Sequence, residues 1–521
     1  TKATCRHWES DVLNKLHRKL DMKNSSSRFT NIFKVLLCAI LFYGANTGCE
    51  QRPDSKAGSE AASPGKQLAE IHCQSCHLYP SPELLDRNSW NNVLFSMEQE
   101  MKKAAYQIKE EDWYAIQRYY LEQAPAALKA PPKQLKKAAG IFQKTDTFSN
   151  IPEAVPVATL LKYDLENNRL YTGDINGNIF MFKGTELGKV LKIRNIPIDI
   201  QYNAKNESLD VLGIGDLMPT EGRGGELINI SKSGKQTTIL DFLDRPVHFI
   251  RHDFDADGKE EYLVSCFGST EGAINSGTLS MFSPKNGTFQ EKIIKELPGA
   301  TKSEIGDFNK DGKPDIIALF SQGKEILTLF LNKGNLEFEE KQLLEFPPVY
   351  GSNDFVLADM NKDGYSDIVF TNGDNGDHTP IFKYYHGVRI FVNNGKNDFH
   401  EKYFFPINGA SKVVVRDFDA DMDLDMVVLA MYPNLAAFPQ ESLTYFENTG
   451  SLDFAASFIE PEPSGRWLLM DAGDIDRDGD IDLIMGANLM IKSILLPPVY
   501  REKWMSSKVA YAVFDNHSRQ N

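Results

Sequence analysis

The sequence has few cysteines and histidines and no excess of basic residues. Its 521 residues include 6 Cys and 10 His, and the formal charge is −15 at pH 7. Binding to nucleic acid phosphates needs a basic surface, so nucleic acid is not an expected partner. Three cysteines precede residue 50, two form a C-x-x-C, and one stands alone: Cys5, Cys38, Cys49, Cys73, Cys76 and Cys266. No pair is left for a structural disulfide, so the cysteines do not indicate export, and evidence for it must lie in the N-terminal segment.

The N-terminal segment, residues 1–48, also lacks an apolar run that could span a bilayer. The run Val35–Tyr43 has 9 residues, whereas a membrane helix needs about 20. Basic residues precede this run and the small residues 44–48 follow it. This order predicts a signal peptide that starts at Met22, so that residues 1–48 form the leader. Residues 1–21 are then expected to be an artefact of the assigned start, because a signal peptide acts only at an N-terminus.

Cys49 follows the small residues directly and resembles the cleavage site of bacterial lipoproteins, although Asn46 stands where that pattern has Leu. The resemblance implies lipidation of Cys49; the alternative is ordinary cleavage nearby. Residues 49–64 are rich in Ser, Ala, Gly, Pro and charge, which predicts a flexible tether. We therefore expect an exported lipoprotein that faces the periplasm or the cell surface, held to the outer membrane of a Gram-negative bacterium by its lipid.

The motif Cys73-Gln-Ser-Cys76-His77 is the C-x-x-C-H of c-type haem attachment. Two thiols one helical turn apart can form thioethers to the porphyrin, and the adjacent His then reaches the iron. A redox-active thiol pair would need a surrounding βαβ pattern, and a zinc site would need a second ligand pair nearby; neither is present in the sequence. We predict one covalent haem c in a small all-α, cytochrome c-like domain over residues 65–128, followed by a linker over residues 129–150.

Helical patterns flank the motif, at 67–71 before it and at 109–121 after it. Met97 and Met101 are the methionines between them. The stretch Trp90–Met97 resembles the W-x-x-V-L-P-x-M segment of small cytochrome domains in bacterial FG-GAP (VCBS-type) proteins, with Phe95 in the place of Pro. The resemblance implies Met97 as the sixth iron ligand; Met101 and the absence of a Met ligand are the alternatives.

Five acidic segments repeat without gaps along the second half of the chain. They begin at residues 253, 307, 359, 417 and 474, and each reads D-x-[DN]-x-D-x-x-x-[DE] before an apolar pair. Oxygen ligands at positions 1, 3, 5 and 9, with Gly at position 6 in four of the five, suit a tight loop around one hard cation. The alternative is that Asp and Gly only make good turns. We predict up to five Ca²⁺ ions.

Strand-like segments with Asn-x-Gly turns connect these loops, for example at 327–344 and 388–405. A unit of about 50 residues with four strands is typical of a propeller blade. Two divergent units over 155–245 bring the expected count to seven blades, with six or eight left open. Tyr202, Ala204 and Asn206 replace the ligands in one of them. The C-terminal strand candidate at 507–516 is expected to complete the first blade, because closing the ring removes open edges.

The fold class is therefore mainly β: a seven-bladed β-propeller over residues 151–521, preceded by the helical domain. The loops and their period resemble FG-GAP/VCBS repeats, the blade type of integrin α-subunit heads. The resemblance implies these calcium ligands: Asp253, Asp255, Asp257 and Glu261; Asp307, Asn309, Asp311 and Asp315; Asp359, Asn361, Asp363 and Asp367; Asp417, Asp419, Asp421 and Asp425; Asp474, Asp476, Asp478 and Asp482. Met422 replaces Gly in the fourth loop, so that loop is expected to bind most weakly.

Three functions remain open from the sequence. The first is electron transfer to or from a redox partner protein, with the propeller as a docking platform. The second is binding of a glycan or surface protein by the propeller, with an accessory haem. The third is an active site within the propeller, for which the sequence has no nucleophile motif or His cluster, although its many Asp residues leave a carboxylate pair open. No catalytic residue is predicted, and fold alone does not decide among the three.

Overall fold

The fold is described from a computed structural model. It describes residues 63–130, 135–145, 148, 151, 154–217, 222–268, 276–376, 379–490 and 495–520. The predicted leader, Cys49 and the predicted tether up to residue 62 lie outside the described residues. None of the helices in these ranges has the length and apolar character that a membrane crossing requires.

Three helices precede the strands: α1 (Pro64–Cys73), α2 (Arg87–Lys103) and α3 (Glu110–Gln123). Helices α1 and α3 agree with the predicted pair, and α2 is a third helix between them. Side-chain caps mark two of the starts, since Ser63 accepts the N–H of Lys66 at 3.3 Å and Asp86 accepts that of Ser89 at 2.8 Å. The acidic residues in the first turn of α3 are favourable to the helix dipole.

The three helices enclose a small aromatic core. Trp90 and Tyr120 are buried with their ring centroids 4.2 Å apart. Trp90 Nε1 donates to the carbonyl of Pro82 at 2.6 Å, and the Tyr120 hydroxyl donates to that of Pro80 at 2.8 Å. A Cβ on Gly65 would lie 2.5 Å from the Ala115 carbonyl oxygen, so glycine allows α1 to approach α3 closely. These contacts fix the segment that follows the C-x-x-C-H.

Seven four-stranded antiparallel sheets form the propeller, as predicted. In chain order, strand β1 is Phe142–Thr145 and the first three blades follow it. Blade 1 is β2 (Ala158–Asp164), β3 (Arg169–Asp174), β4 (Asn178–Lys183) and β5 (Glu186–Lys192). Blade 2 is β6 (Pro197–Asn203), β7 (Ser208–Gly213), β8 (Gly225–Ile230) and β9 (Gln236–Leu243). Blade 3 is β10 (Pro246–His252), β11 (Glu261–Cys266), β12 (Thr278–Lys285) and β13 (Thr288–Glu296).

The other four blades contain the remaining strands. Blade 4 is β14 (Ala300–Gly306), β15 (Asp315–Gln322), β16 (Lys324–Gly334) and β17 (Glu337–Phe346). Blade 5 is β18 (Ser352–Ala358), β19 (Asp367–Asn372), β20 (Gly387–Asn393) and β21 (Phe399–Pro406). Blade 6 is β22 (Ala410–Arg416), β23 (Asp425–Ala430), β24 (Leu443–Asn448) and β25 (Phe454–Phe458). Blade 7 is β26 (Trp467–Gly473), β27 (Asp482–Ala487), β28 (Tyr511–Asn516) and β1, with helix α4 (Pro498–Ser507) before β28.

Burial follows the order of the strands within each blade. The second strand is buried along its whole length in blades 2, 3, 5, 6 and 7 and over its first six residues in blade 4, whereas the fourth strands are mostly exposed or half-buried. The first strands of neighbouring blades contact one another around the ring, and β2 contacts β26 where the ring closes. Each first strand has a register irregularity near its start. Such bulges increase local twist, which suits strands that converge on a central axis.

Ring closure differs from the prediction in one respect. The C-terminal strand β28 does not complete the first blade; it is the third strand of the last blade, where Phe514 lies opposite Leu483. Strand β1 then pairs with β28, with Phe142 opposite Asn516, and supplies the outer edge. The last blade has only two strands, β26 and β27, before α4. Its third strand, β28, comes from the C-terminal end of the chain, and its fourth strand, β1, precedes the first blade. Strand β1 lies within residues 129–150, the segment predicted as a linker.

We predict that Phe142→Ala lowers the free energy of unfolding by about 3–5 kcal/mol, as expected for loss of a buried Phe side chain. Phe142 is 8% exposed and its ring packs 5.5 Å from Phe418 and 5.6 Å from Tyr445, between centroids. Urea denaturation of the full chain measures the effect. The control is Phe242→Ala, because Phe242 is 73% exposed and its truncation should change stability by no more than about 0.5 kcal/mol. Equal losses for the two variants would contradict a stabilising role for β1.

Candidate haem and cation sites

The C-x-x-C-H lies at the end of α1. The N–H groups of Cys76 and His77 each approach the Cys73 carbonyl at 3.4 Å, which turns the motif back over the helix end. Cys73 is half-buried against the helical core, whereas Cys76 is exposed. Burial raises the pKa of the Cys73 thiol to about 11. Both sulfurs are free, so the donor set fits a covalently attached haem.

The His77 ring is oriented by the next residue. Its Nδ1 lies 2.9 Å from the Leu78 carbonyl oxygen, so the hydrogen-bonded tautomer carries the proton on Nδ1. That tautomer leaves the lone pair on Nε2, which is what an iron ligand requires. Burial lowers the pKa of His77, although the Leu78 carbonyl and Glu345 act in the opposite direction. The imidazole is therefore neutral at pH 7, as ligation needs.

Both candidate methionines lie on α2 and pack, half-buried, against the same core cluster as Cys73. Helix α2 places them about one turn apart, so they approach that core from the same side. The choice of Met97 over Met101 thus stays a prediction. Phe95, which replaces Pro in the resembling segment, is exposed at the surface of α2.

The propeller contributes contacts to the helical domain that the sequence did not indicate. The Tyr385 hydroxyl donates to the Leu84 carbonyl at 2.9 Å, and Val349 and Ile381 pack against the helical core. Glu345 is near enough to His77 to affect its pKa. All these residues lie between the end of β17 and the start of β20. The helical domain therefore packs against the β19–β20 connection of blade 5 and the segment that leads into that blade, and Glu345 in the latter region is the propeller residue that influences the haem motif.

Each of the five acidic loops joins the first and second strands of its blade, in blades 3 to 7. Backbone N–H groups hold the carboxylates in place: in blade 4 the N–H groups of Asp311 and Gly312 donate to Asp307, both at 2.9 Å. Blades 3, 5 and 6 repeat this pair of hydrogen bonds. The residue at position 6 has a left-handed backbone in all five loops. In blade 6 this residue is Met422, with a φ of 74°. Its side chain is 80% exposed, so it gains little packing in return for that backbone strain.

The structure brings three carboxylates together in three of the loops. One oxygen from each of positions 1, 3 and 9 lies within 4.8 Å of the other two in blades 3, 6 and 7: Asp253, Asp255 and Glu261; Asp417, Asp419 and Asp425; Asp474, Asp476 and Asp482. Position 3 is Asn309 in blade 4 and Asn361 in blade 5, which leaves fewer carboxylates there. Position 5 is not part of these clusters. In blades 3 and 4, the position-5 carboxylates of Asp257 and Asp311 are ion-paired with Lys259 and Lys313.

Burial, together with repulsion between neighbouring carboxylates, raises the pKa of several acidic residues in these loops. Burial, with the neighbouring loop carboxylates adding, raises the pKa of Glu261 to about 7. Burial raises the pKa of Asp425 to about 6, and it raises those of Asp315 and Asp367 as well. A hard divalent cation would remove this repulsion, and an all-oxygen ligand set suits Ca²⁺. The sites thus fit calcium by the chemistry of their donors.

Comparison with known families gives two matches. Residues 253–318 and 307–370 match the model of the FG-GAP-like repeat. The chain carries FG-GAP repeats. Residues 70–163 match the model named dihaem cytochrome c, which implies haem in the helical domain. A search of curated proteins found no match.

The fold resembles many solved structures. They include the WD40 domain of Neurospora crassa Pan2 (14% identity, TM-score 0.40, covering 69% of this chain and 89% of that one). Another is the β-propeller domain of Myceliophteria thermophila Cps50 (Swd1), at 10% identity and a TM-score of 0.41, covering 65% of this chain and 95% of that one. A gluconolactonase from Xanthomonas campestris has 11% identity and a TM-score of 0.35, covering 57% of this chain and 95% of that one. Similarity at this level says nothing about activity.

We predict that Met97→Ala abolishes the sulfur-to-iron absorption band of the haem protein and lowers its reduction potential, because thioether ligation favours ferrous iron. Optical spectra and a redox titration measure both. Met101→Ala is the matched control, since it removes the same side chain one turn further along α2 and should leave the band in place. If Met101→Ala removes the band and Met97→Ala does not, the ligand is Met101.

Proposed function

We propose that this protein is an exported electron-transfer protein in which one covalent haem c exchanges electrons with a redox partner protein. The observation that carries the proposal is the C-x-x-C-H at the end of α1, with His77 Nε2 available to the iron, in a domain similar to cytochrome c. The sequence has a single C-x-x-C-H, which supports one haem although the matching family is named for two. A haem whose two axial positions are filled carries electrons rather than binding substrate.

The rest of the chain would support this task. The contacts of Val349, Ile381 and Tyr385 hold the helical domain against the propeller, so a partner can be recognised by both domains together. We propose that calcium in the five acidic loops stabilises the propeller as this docking platform. Lipidation at Cys49 would keep the protein at the membrane while the tether allows it to reach its partner.

We predict that protein made with a cytochrome c maturation system keeps its haem through denaturing electrophoresis and undergoes a reversible one-electron titration. The double variant Cys73→Ala/Cys76→Ala should lose the haem stain, because both thioethers are gone. Cys266→Ala is the control, since this buried propeller thiol lies outside the motif. Colourless wild-type protein from a competent host would contradict the proposal.

We predict that millimolar Ca²⁺ raises the melting temperature of the full chain relative to chelator. A site that binds only the folded form contributes about 2.7 kcal/mol at a hundredfold excess of ligand over Kd. Asp253→Asn should remove part of the calcium-dependent shift, because Asp253 belongs to a three-carboxylate cluster. Asp164→Asn is the control: Asp164 ends β2, and the short connection that follows it in the divergent blade 1 lacks the D-x-[DN]-x-D pattern. Melting curves that do not move with calcium would mean that the loops are only turns.

A further inference from the structure

The acidic loop of blade 7 differs from the others at position 7. In blades 3 and 4 this position is a lysine, and its ammonium pairs with the position-5 carboxylate at 2.7 Å and 2.9 Å. In blade 6 it is Asp423, which pairs with Lys362. In blade 7 it is Asp480, only 3% exposed, and neither of its carboxylate oxygens has a hydrogen-bond partner. A buried carboxylate without a partner is costly and needs a compensating charge or a proton.

A second carboxylate comes from the C-terminal strand. Asp515 on β28 precedes Asn516, and the equivalent residues before the last Asn of β20 and β24 are Val392 and Glu447. The Oδ1 of Asp515 is buried and has no hydrogen-bond partner. Its Oδ2 lies 3.6 Å from Nε2 of His517. This side chain is thus brought to the acidic loop by the strand that closes the ring.

Asp480 and Asp515 meet at Asp482. One oxygen from each of these three carboxylates lies within 4.8 Å of the other two. Asp482 is held in place by the N–H groups of Ile475 and Asn516, each at 2.9 Å. It also belongs to the loop cluster with Asp474 and Asp476, so blade 7 has two acidic clusters that share one carboxylate.

We propose that blade 7 holds a second divalent cation between Asp480, Asp482 and Asp515, beside the ion of its acidic loop. Three carboxylates and no thiol form a hard donor set, which makes Ca²⁺ the expected ion. The proposal rests on the proposed loop calcium only through Asp482, which both ions would share. Such an ion ties the β26–β27 loop to β28, which in turn pairs with β1. The second cation would therefore stabilise the closed ring of blades.

Calcium counting on the full haem-loaded chain tests this site directly. After equilibrium dialysis against Ca²⁺ alone, Asp480→Asn and Asp515→Asn should each retain one ion fewer per chain than the wild type. Asp423→Asn is the matched control, because it makes the same change at the same loop position in blade 6, where Lys362 already balances the charge. It should leave the count unchanged.

Melting curves separate a cation ligand from a structural aspartate. In chelator, the two amide variants should melt above the wild type because they relieve repulsion among buried carboxylates, and calcium should raise their melting temperature by less than it raises that of the wild type. A purely structural role would lower the melting temperature in both conditions. If Asp480→Asn does not fold, Asp515→Asn provides the same readout from the other side of the site.

Two failures remain distinguishable. If the proposed loop calcium is wrong, Asp253→Asn leaves the calcium count unchanged while Asp480→Asn still lowers it. If the proposed second cation is wrong, Asp253→Asn lowers the calcium count while Asp480→Asn and Asp515→Asn leave it at the wild-type value. That second result would mean that the cluster is balanced by shared protons, and it would overturn the proposal.

Discussion

One buried carboxylate at position 9 organises each blade that has an acidic loop. In blades 4 to 7 this aspartate accepts the N–H of loop position 2 at 2.9–3.1 Å and the N–H of an Asn at the end of the third strand at 2.7–2.9 Å. It therefore fixes the loop and the third strand to the second strand that it begins. The cost of burying its charge is offset by these donors. The same group faces the acidic loop, so the scaffold and the candidate cation sites cannot be separated.

The haem motif depends on this scaffold at a distance. The connection between β19 and β20, which contributes Tyr385 and Ile381, starts from the strand that Asp367 anchors. The same connection and the segment before blade 5 provide the propeller side of the contact with the helical core. Stability of blade 5 and the environment of His77 are thus linked, because Glu345 and Val349 lie in one continuous segment ahead of β18.

The sequence predicted what repeats or what is local. Regular spacing of the acidic loops is enough to identify blades 3 to 7, and C-x-x-C-H identifies the haem motif because its chemistry lies within five residues. Strand β1 was missed because four residues in a polar segment carry no strand pattern of their own. The contact of Tyr385 with Leu84 joins residues 301 positions apart. Such long-range contacts leave no local pattern in the sequence. Asp515 was missed for this reason, because it comes close to Asp482 through the pairing of β28 with β27.

Ring closure also determines the order in which the strands can pair as the chain is synthesised. Strand β1 is made before any blade, yet the strand with which it pairs, β28, is the last strand among the described residues. During synthesis, β1 therefore keeps an unpaired edge while blades 1 to 6 assemble, each from neighbouring segments. Among the strand pairs of the described residues, β1 and β28 have the longest sequence separation, so their pairing is expected to be the slow step of folding. A chain truncated near its C-terminus would present two unpaired edges, those of β27 and β1, and become a substrate for proteases and chaperones.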